Sequence, residues 1–433
     1  MDKLIILCLL GDPTLPPVSV KHTGGFQVDI QELLYNINNP NCEIHIITNT
    51  SKYSPKIFEN NNGTYIHRIK FNENWLDDQN LMMENFEFIK KEFFKIMDLI
   101  INENSLIHSF YWLSGILAME AKKYYNINFV HSVVSLSVGK TLSGASPYYI
   151  NQFKYEKKFL LESSKIFSIT ESEKEQIQKY YYIETNKIVV VGRDVASAYI
   201  HLAHNFDGLP ENIKPTYNEI SPVELTKYKW WTQGAYTYVG RLQKIKGLHH
   251  IIYTWLELYK RYENKTPPLW ICGGTPKNIS DFRTKIKNYI DFDLLEKCEN
   301  AQKIIWWGYL DPAGISTLFL KTRVFIMHSQ YEPGGRVILE ALASSLPVIA
   351  TNNGFAKDMI KNNYNGFLVE YGNIEALYSA MEYFLNESVP ICELKQNAKK
   401  TFLTQQKYWK CYLRHFEIYQ ELGLLSFGDL IFN

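Results

Sequence analysis

The stretch that decides the fold is a short apolar run followed by a glycine-containing turn and a helical segment. It reads Val324-Phe-Ile-Met-His328 and then Ser329-Gln-Tyr-Glu-Pro-Gly-Gly-Arg-Val-Ile-Leu-Glu340. The apolar run predicts a buried strand, and the helix is predicted to begin near Gly335. A helix in this position directs its free backbone N–H groups and the positive end of its dipole toward the carboxyl end of the strand. An anion such as a diphosphate would bind there.

The same alternation of short apolar runs and longer periodic segments continues along most of the 433 residues. It predicts an α/β fold of parallel sheets covered by helices on both faces. We expect two Rossmann-like, doubly wound domains, and because ligands bind at the carboxyl ends of such strands, the two domains should face one central cleft. The predicted N-terminal domain, on the acceptor side, is 1–204, and the predicted C-terminal domain, on the donor side, is 235–405. A proline-bearing linker or insertion at 205–234 joins them. A helix at 406–433 is predicted to pack back on the N-terminal domain.

Composition narrows the classes of function. The formal net charge is +1, so no global field favours nucleic acid as a partner. The six cysteines are scattered without CxxC spacing, which argues against a zinc or redox motif and favours free thiols inside the cell. No apolar stretch reaches the about 20 residues of a membrane span. The run Leu4–Leu10 lacks a basic leader and a cleavage site, so no signal peptide is expected and a cytoplasmic location is predicted.

The segment Met83–Asn102 is predicted to be an amphipathic helix that carries phenylalanines beside lysines. Peripheral contact with a membrane surface is one interpretation. Packing onto the N-terminal sheet is favoured over it, because a periodic apolar stripe usually faces a core.

Two further segments carry candidate chemistry on the donor side. The run Val239-Gly-Arg-Leu-Gln-Lys-Ile-Lys-Gly247 follows a predicted strand, so the cations Arg241 and Lys246 are placed to neutralise a leaving diphosphate. The alternative is a solvated basic turn. Glu332 and Glu340 each offer a carboxylate that accepts hydrogen bonds from sugar or ribose hydroxyls. The alternative is that Glu332 caps the helix and Glu340 is a surface residue.

The N-terminal half contains the pair Gly24-Gly25 before a predicted helix, where a backbone without side chains can approach a ligand closely. A lone Gly-Gly is a weak signal. The full dinucleotide-binding fingerprint is absent, which argues against a nicotinamide cofactor.

In this combination and order, the segments resemble family 4 of the retaining GT-B glycosyltransferases, which includes enzymes acting on inositol phosphate and the sucrose-phosphate synthases. The resemblance covers most of the chain. It also includes Gly24–Val28, Leu106-Ile-His-Ser-Phe-Tyr-Trp-Leu-Ser-Gly115, Ile271–Gly274, Ala341–Ile349, Asn353-Gly354 and Asn365–Val369.

The resemblance implies a nucleotide-sugar donor and assigns residues to it. Arg241 and Lys246 would hold the diphosphate, Glu340 the ribose, and Glu332 the transferred sugar. The departing phosphate would take the proton of the acceptor, so no protein base, cofactor or metal is required. The remaining implied donor residues are Gly24, Gly25, Gly334, Gly335 and Arg336. The candidates for acceptor binding are Gln27, His108 and Tyr111, although core packing is the alternative for Tyr111.

Three features depart from the family pattern. Val134 stands where the family has a histidine, so His131 is either its catalytic substitute or an ordinary strand histidine. Gly192-Arg-Asp-Val-Ala196 replaces the usual Pro-Asn-Gly-Val-Asp. Arg336 either adds a donor to an anionic ligand or points to solvent. Asp291-Phe-Asp293 imitates a metal-binding motif, but its helical surroundings favour a solvated face.

Three functions are therefore compared. The first is a retaining transferase that moves a sugar from a UDP-sugar, such as UDP-GlcNAc or UDP-glucose, to a hydroxyl of a small polyol, an aminocyclitol or a glycan. The alternative is a catalytically degenerate homologue that acts as a binding partner, motivated by the departures at 134 and 192–196. The third is a nicotinamide-dependent enzyme or epimerase on the same fold class, since Rossmann-like domains host many chemistries.

Overall fold

The computed structural model of the protein describes residues 1–13, 25–37, 41–49, 64–70, 72, 75, 79–144, 150–195, 199, 234–386, 388–409 and 412–427. The chain divides into two compact units. Met1–Asp194 and Tyr408–Asn433 form the first unit, and Val195–Lys407 form the second. The predicted linker at 205–234 lies, except for its last residue, outside the described residues.

The first unit is built on a seven-stranded sheet in which each described strand pairing is parallel, in the order β3-β2-β1-β4-β5-β6-β7. The central strands are buried on both faces, which explains why they read as nearly continuous apolar runs. The strands are β1 (Asp2–Cys8), β2 (Cys42–Asn49), β3 (Thr64–Ile69), β4 (Ser105–Phe110), β5 (Asn128–Ser132), β6 (Lys165–Ser168) and β7 (Ile188–Val190).

Helices cover both faces of this sheet. The predicted amphipathic helix is divided at Asn85, and its longer part buries Phe86, Ile89, Phe93, Met97 and Ile100 in the core. The helices of this unit are α1 (Gly25–Asn36), α2 (Gln79–Glu84), α3 (Phe86–Ile100), α4 (Tyr111–Tyr125), α5 (Ser137–Leu142), α6 (Ile150–Glu162) and α7 (Glu171–Gln176), which continues as a π-helical turn (Ile177–Tyr181).

The second unit contains a six-stranded sheet whose described pairings are also parallel, in the order β10-β9-β8-β11-β12-β13. Its strands are β8 (Ala235–Val239), β9 (Leu269–Cys272), β10 (Ile304–Gly308), β11 (Thr322–Met327), β12 (Val348–Thr351) and β13 (Gly366–Val369). Its helices are α8 (Leu248–Tyr262), α9 (Pro276–Ile286), α10 (Phe292–Asn300), α11 (Pro312–Leu320), α12 (Arg336–Ala343), α13 (Gly354–Met359) and α14 (Ile374–Tyr383).

The chain leaves the second unit within α15 (Ile391–Trp409) and ends in the first unit with α16 (Tyr412–Glu421). Phe416 and Tyr419 of α16 join the core cluster that contains β1 residues Leu4 and Ile6. Over the described part of the chain, none of the helices combines the length and apolar character needed to cross a membrane.

Candidate functional site

The predicted donor segments lie at the point of the second sheet where the strand order reverses. β8 and β11 are paired neighbours, and β9 lies on the other side of β8 while β12 lies on the other side of β11. Because the connections leave in opposite directions there, a crevice opens at the carboxyl ends of these two strands. The loops 240–247 and 328–335 follow these two strands and therefore meet at this crevice.

A direct ion pair joins the two loops. Lys246 Nζ donates to Glu332 Oε2 at 2.5 Å, and each side chain is 16% exposed. The other carboxylate oxygen, Oε1, accepts from the backbone N–H of Gly335 at 3.1 Å. Glu332 thus caps the start of the helix, as its alternative interpretation predicts. It also pairs with Lys246, the cation that the family resemblance assigns to the diphosphate.

The backbones of the two loops also contact each other. Gln330 N–H donates to the carbonyl of Ile245 at 2.8 Å. Gly247 precedes α8 with a φ of +68°, and a Cβ at this position would overlap the carbonyl oxygen of His328. Glycine is therefore required here both for the left-handed backbone conformation and for the close approach of the loops.

Asn353, which follows β12, supports the second loop from the other side. Its Nδ2 donates to the carbonyls of Ser329 at 3.0 Å and Gln330 at 3.2 Å, and its Oδ1 accepts from the N–H of Glu332 at 3.1 Å. Both ends of the amide are satisfied, so Asn353 fixes the backbone that carries Glu332. The sequence pattern pointed to Asn353-Gly354 but assigned it no role.

α12 begins directly after Gly335, as the sequence predicts. Gly335 is the N-cap with a φ of +45°, and Gly334 and Gly335 are both buried. Arg336, the first helical residue, is half-buried.

Arg241 is exposed in the first loop, and its carbonyl accepts from the hydroxyl of buried Tyr238 at 2.9 Å. Tyr238 therefore anchors the loop that carries Arg241, which the sequence did not indicate.

Glu340 lies inside α12 and is only 6% exposed, so the alternative of an ordinary surface residue is wrong. Tyr199 is hydrogen-bonded to the Glu340 carboxylate and is 1% exposed. Burial, and then the negative charge of Glu340, raises the pKa of the Tyr199 hydroxyl. A neutral phenol donating to the carboxylate fixes its orientation, and sequence reasoning missed this residue.

Of the two donor candidates in the first unit, Gly24 lies outside the described residues and Gly25 is the first residue of α1. Gln27 is 3% exposed and packs against Gly11, where a Cβ would overlap its amide. Gln27 is therefore buried beneath the β1 loop, and the structure does not support its direct contact with an acceptor.

Tyr111 occupies a strained backbone position at the end of β4. Its φ is +70°, which a non-glycine residue adopts rarely. Its ring stacks on Phe26 at 6.3 Å, and the Lys140 ammonium lies 5.5 Å from the ring centre. Tyr111 is half-buried and packs against the core of the first unit, as its alternative interpretation predicts, so its role in acceptor binding stays a prediction.

His108, predicted to bind an acceptor, lies instead in the core of the first unit. It is 0% exposed, and its ring nitrogens are hydrogen-bonded to the Tyr419 hydroxyl at 2.6 Å and the Ser132 hydroxyl at 2.7 Å. Burial holds the pKa of His108 well below its usual value. Since both nitrogens are engaged inside the core, His108 has a packing role and does not contact an acceptor.

His131 is a strand histidine in β5. Its Nδ1 lies 2.9 Å from the Ser109 hydroxyl, its ring packs against Phe159, and it is 3% exposed. Burial lowers the pKa of His131 to about 3, so the ring is neutral at physiological pH. It lines a small cavity together with Tyr111 and Val134. A catalytic role in direct contact with substrates is not supported by this burial.

The Asp291-Phe-Asp293 segment serves as a helix start. Asp291 is the N-cap of α10, where it accepts from the N–H of Leu294 at 3.1 Å and pairs with Lys260 at 3.2 Å. Among the described residues, no group of three or more His, Cys, Asp or Glu side chains is arranged to hold a metal ion.

Comparison with known proteins identifies the family. A model described as "Glycosyl transferases group 1" matches residues 232–401, and one described as "Glycosyltransferase Family 4" matches residues 23–195. The chain belongs to the GT-B glycosyltransferases of the family 4 type. The first match contains the loops of Lys246 and Glu332, and the second contains α1 and Tyr111.

Individual glycosyltransferases are similar at low identity. An uncharacterized glycosyltransferase of Methanocaldococcus jannaschii is 22% identical over 395 residues, which cover 87% of this chain and 89% of the relative. A D-inositol 3-phosphate glycosyltransferase of Corynebacterium urealyticum is 25% identical over 287 residues, which cover 65% of this chain. The match to this second relative spans 63% of its length, which is less than two thirds.

Solved structures show the same fold. A sucrose-phosphate synthase from Thermosynechococcus elongatus has a TM-score of 0.74 at 18% identity and covers 98% of this chain and 99% of its own. The Anabaena protein HepE, solved in complex with UDP, has a TM-score of 0.65 at 13% identity, covering 97% of this chain and all of its own.

Proposed function

We propose that this glycosyltransferase uses a UDP-sugar, such as UDP-GlcNAc or UDP-glucose, as donor and retains the configuration of the transferred sugar. The observation that carries the proposal is the Lys246–Glu332 ion pair at the start of α12, where the second sheet reverses its strand order. A cation, a carboxylate and a helix N-terminus meet there, and a nucleotide sugar offers a diphosphate and hydroxyls that match them.

In the proposed reaction, the bond between the anomeric carbon and the diphosphate oxygen breaks while the acceptor hydroxyl oxygen bonds to that carbon on the same face. The proton of the acceptor passes to the departing phosphate oxygen. Lys246 and Arg241 stabilise the negative charge that develops on the diphosphate, so the proposal requires no metal. Glu332 accepts hydrogen bonds from the sugar, and Lys246 turns from Glu332 toward the diphosphate.

The donor and acceptor classes follow from similarity. HepE was solved with UDP, and relatives such as that of C. urealyticum are named D-inositol 3-phosphate glycosyltransferases. The segment Leu106–Gly115, which carries Tyr111, belongs to the part of the chain that resembles such enzymes. We therefore propose a hydroxyl of a small polyol, an aminocyclitol or a glycan as the acceptor.

The first test compares two lysines of the same turn. Lys246→Ala should lower donor turnover by roughly 10²-fold, because it removes a cation from the leaving group. Lys244→Ala, which removes an exposed lysine two residues away, should leave turnover within about twofold. Hydrolysis and transfer are measured with purified protein and a panel of UDP-, GDP-, ADP- and dTDP-sugars, after thermal shifts identify the nucleotide. Equal rates for both variants would show that Lys246 does not serve the leaving group.

The second test concerns stereochemistry. NMR of the product formed from an α-linked donor should show an α-linked product, because attack and departure occur on one face of the sugar. The spectrum is recorded early in the reaction, before any free sugar equilibrates. A β-linked product would exclude the retaining mechanism while leaving the transferase activity intact.

A further inference from the structure

The first unit contains a cavity that none of the proposed donor or acceptor residues lines. It lies between α1, α16 and the carboxyl ends of β4, β5, β6 and β7, and its empty volume of about 550 Å³ includes space open to solvent. Most of its lining side chains are apolar, among them Leu33, Phe110, Phe167 and Ile169. A concave and mostly apolar lining is typical of sites that hold part of a small molecule.

The cavity adjoins the acceptor side of the proposed site. Phe26 lines it and also stacks on Tyr111. Val133 and Val134 line it and also line the smaller cavity that contains Tyr111. An acceptor whose hydroxyl lies beside Tyr111 would therefore have this cavity within reach of its next group.

The lining of the cavity contains two aspartates, Asp29 and Asp194, and one arginine, Arg193. Arg193 donates to the carboxylate of Asp29 at 2.5 Å, and the Arg193 side chain is 5% exposed. Asp194 adds a further carboxylate to the lining. Since the guanidinium is already paired with a carboxylate, the cavity has no excess of positive charge to hold a phosphate or carboxylate group.

The hydroxyl on the floor of the cavity is also engaged. Ser132 is hydrogen-bonded to His108, whose other nitrogen is bonded to Tyr419. What the cavity offers a ligand is therefore mainly removal of apolar surface from water.

We propose that this cavity binds an uncharged apolar group that the acceptor carries next to the hydroxyl receiving the sugar. The inference rests on the proposed function, because it makes the cavity a subsite of the acceptor site. It assigns the acceptor to a class with a polar sugar or polyol part and a hydrophobic aglycone.

The test measures binding of two matched probes to the full chain, without donor. Isothermal titration compares n-hexyl β-D-glucopyranoside with methyl β-D-glucopyranoside, which differ only by apolar carbons. The hexyl compound should bind at least tenfold more tightly, since each buried methylene contributes favourably. Equal affinities, or no binding of the hexyl compound at millimolar concentration, would overturn the proposal.

A variant that fills the cavity tests whether the hexyl group binds there. Val134→Phe places a larger side chain at the half-buried rim of the cavity and should reduce the preference for the hexyl compound to less than threefold. Val138→Phe changes a half-buried valine of α5 that does not line the cavity, and it should keep the wild-type preference. If Val134→Phe fails to fold, as judged by thermal melting, Ile169→Phe tests the same cavity from the residue that follows β6. A full preference in the folded filling variants would place the hexyl group elsewhere.

The result of the probe-binding test can be distinguished from the result of the test of the proposed function. Binding of the probes requires neither Lys246 nor a nucleotide sugar. A preserved hexyl preference with no loss of turnover in Lys246→Ala would contradict the donor assignment alone. A normal effect of Lys246→Ala with equal probe affinities would contradict the cavity alone.

Discussion

The bond between Tyr199 and Glu340 connects a residue outside the recognised motifs to the proposed donor site. Both side chains are almost fully buried, and the ring of Tyr199 lies 6.1 Å from that of Phe319 on α11. If Glu340 binds the ribose hydroxyls, its carboxylate must keep one orientation, because a bidentate contact depends on the direction of both oxygens. Tyr199 would supply that orientation through its hydrogen bond to the carboxylate.

Tyr199→Phe should therefore raise KM for the nucleotide sugar several-fold and change kcat little. It should also reduce the discrimination between ribose and 2′-deoxyribose donors, because a misdirected Glu340 gains less from the 2′-hydroxyl. Steady-state kinetics with the paired donors measure both effects.

The control is Tyr236→Phe, which removes the hydroxyl of another buried tyrosine of the second unit, donated at 2.7 Å to the carbonyl of Met381. This variant should lose stability but keep the wild-type discrimination. The same ribose discrimination in Tyr199→Phe and wild type would mean that Tyr199 has only a packing role.

The sequence identified the chemical groups of the donor site but not their connections. Lys246 and Glu332 could be predicted because each lies in a characteristic loop after a strand. Their mutual bond could not, because it depends on the relative register of two loops 86 residues apart. His108 was misplaced for a similar reason. The face of β4 on which it lies is covered by Tyr419, which is 311 residues away in the chain.

At the scale of elements, the buried parallel strands were the easiest to predict. The strand predicted at Val324–His328 is β11 (Thr322–Met327) in the structure. Such strands are buried on both faces and read as apolar runs between polar turns. The helix Met83–Asn102 was predicted as one element, but it divides into α2 and α3, with Asn85 donating its side-chain amide to the carbonyl of Leu81. A local break of this kind leaves the apolar periodicity unchanged and so gives no sequence signal.

The C-terminal tail shows the same limit. One helix is predicted at 406–433, and the structure has the end of α15 and then α16 there. The aromatic residues of the tail have irregular spacing because α16 packs into the core of the first unit, where His415, Phe416 and Tyr419 are buried.

Variants at the start of α10 distinguish a structural role of Asp291 from a metal-binding role. Asp291→Ala removes the N-cap, so the free energy of unfolding should fall by about 1 kcal/mol, measured by urea denaturation. Glycosyl transfer should be unchanged, with or without a chelator. Asp293→Ala, which removes the other acidic residue of the same motif, should cost less stability because Asp293 is not the cap. A variant with lost transfer that added Mn²⁺ restores would instead make this segment a metal site.

At the scale of the whole molecule, each unit contains histidines that folding keeps neutral. Burial lowers the pKa of His131 in the first unit to about 3, and burial followed by the nearby His250 lowers the pKa of His328 in the second unit to about 3. His328 Nε2 accepts from the N–H of Gly372 at 2.9 Å, which fixes its neutral form. Protonation of His131 or His328 at moderate acidity therefore requires local opening of the unit that contains it.

The consequence for stability has a definite sign. Between pH 6.5 and about 3, the unfolded chain protonates these histidines while the folded chain does not. The unfolded state binds more protons in this window, so the free energy of unfolding falls as the pH is lowered, by at most about 1.4 kcal/mol per pH unit for each histidine. Buried carboxylates act in the opposite direction where burial raises their pKa, as for Glu156.

A difference between variants isolates the histidine contribution, because the carboxylates are common to both proteins. His131→Gln removes a titrating group and keeps a side chain able to hydrogen-bond Ser109. The free energy of unfolding of this variant should be lower than that of wild type at pH 7.5, and the gap should narrow or reverse by pH 4.5. Urea denaturation of the first unit's transition at several pH values measures this change. A gap that stays constant with pH would show that His131 titrates normally in the folded protein, and its burial in β5 would then not govern its charge.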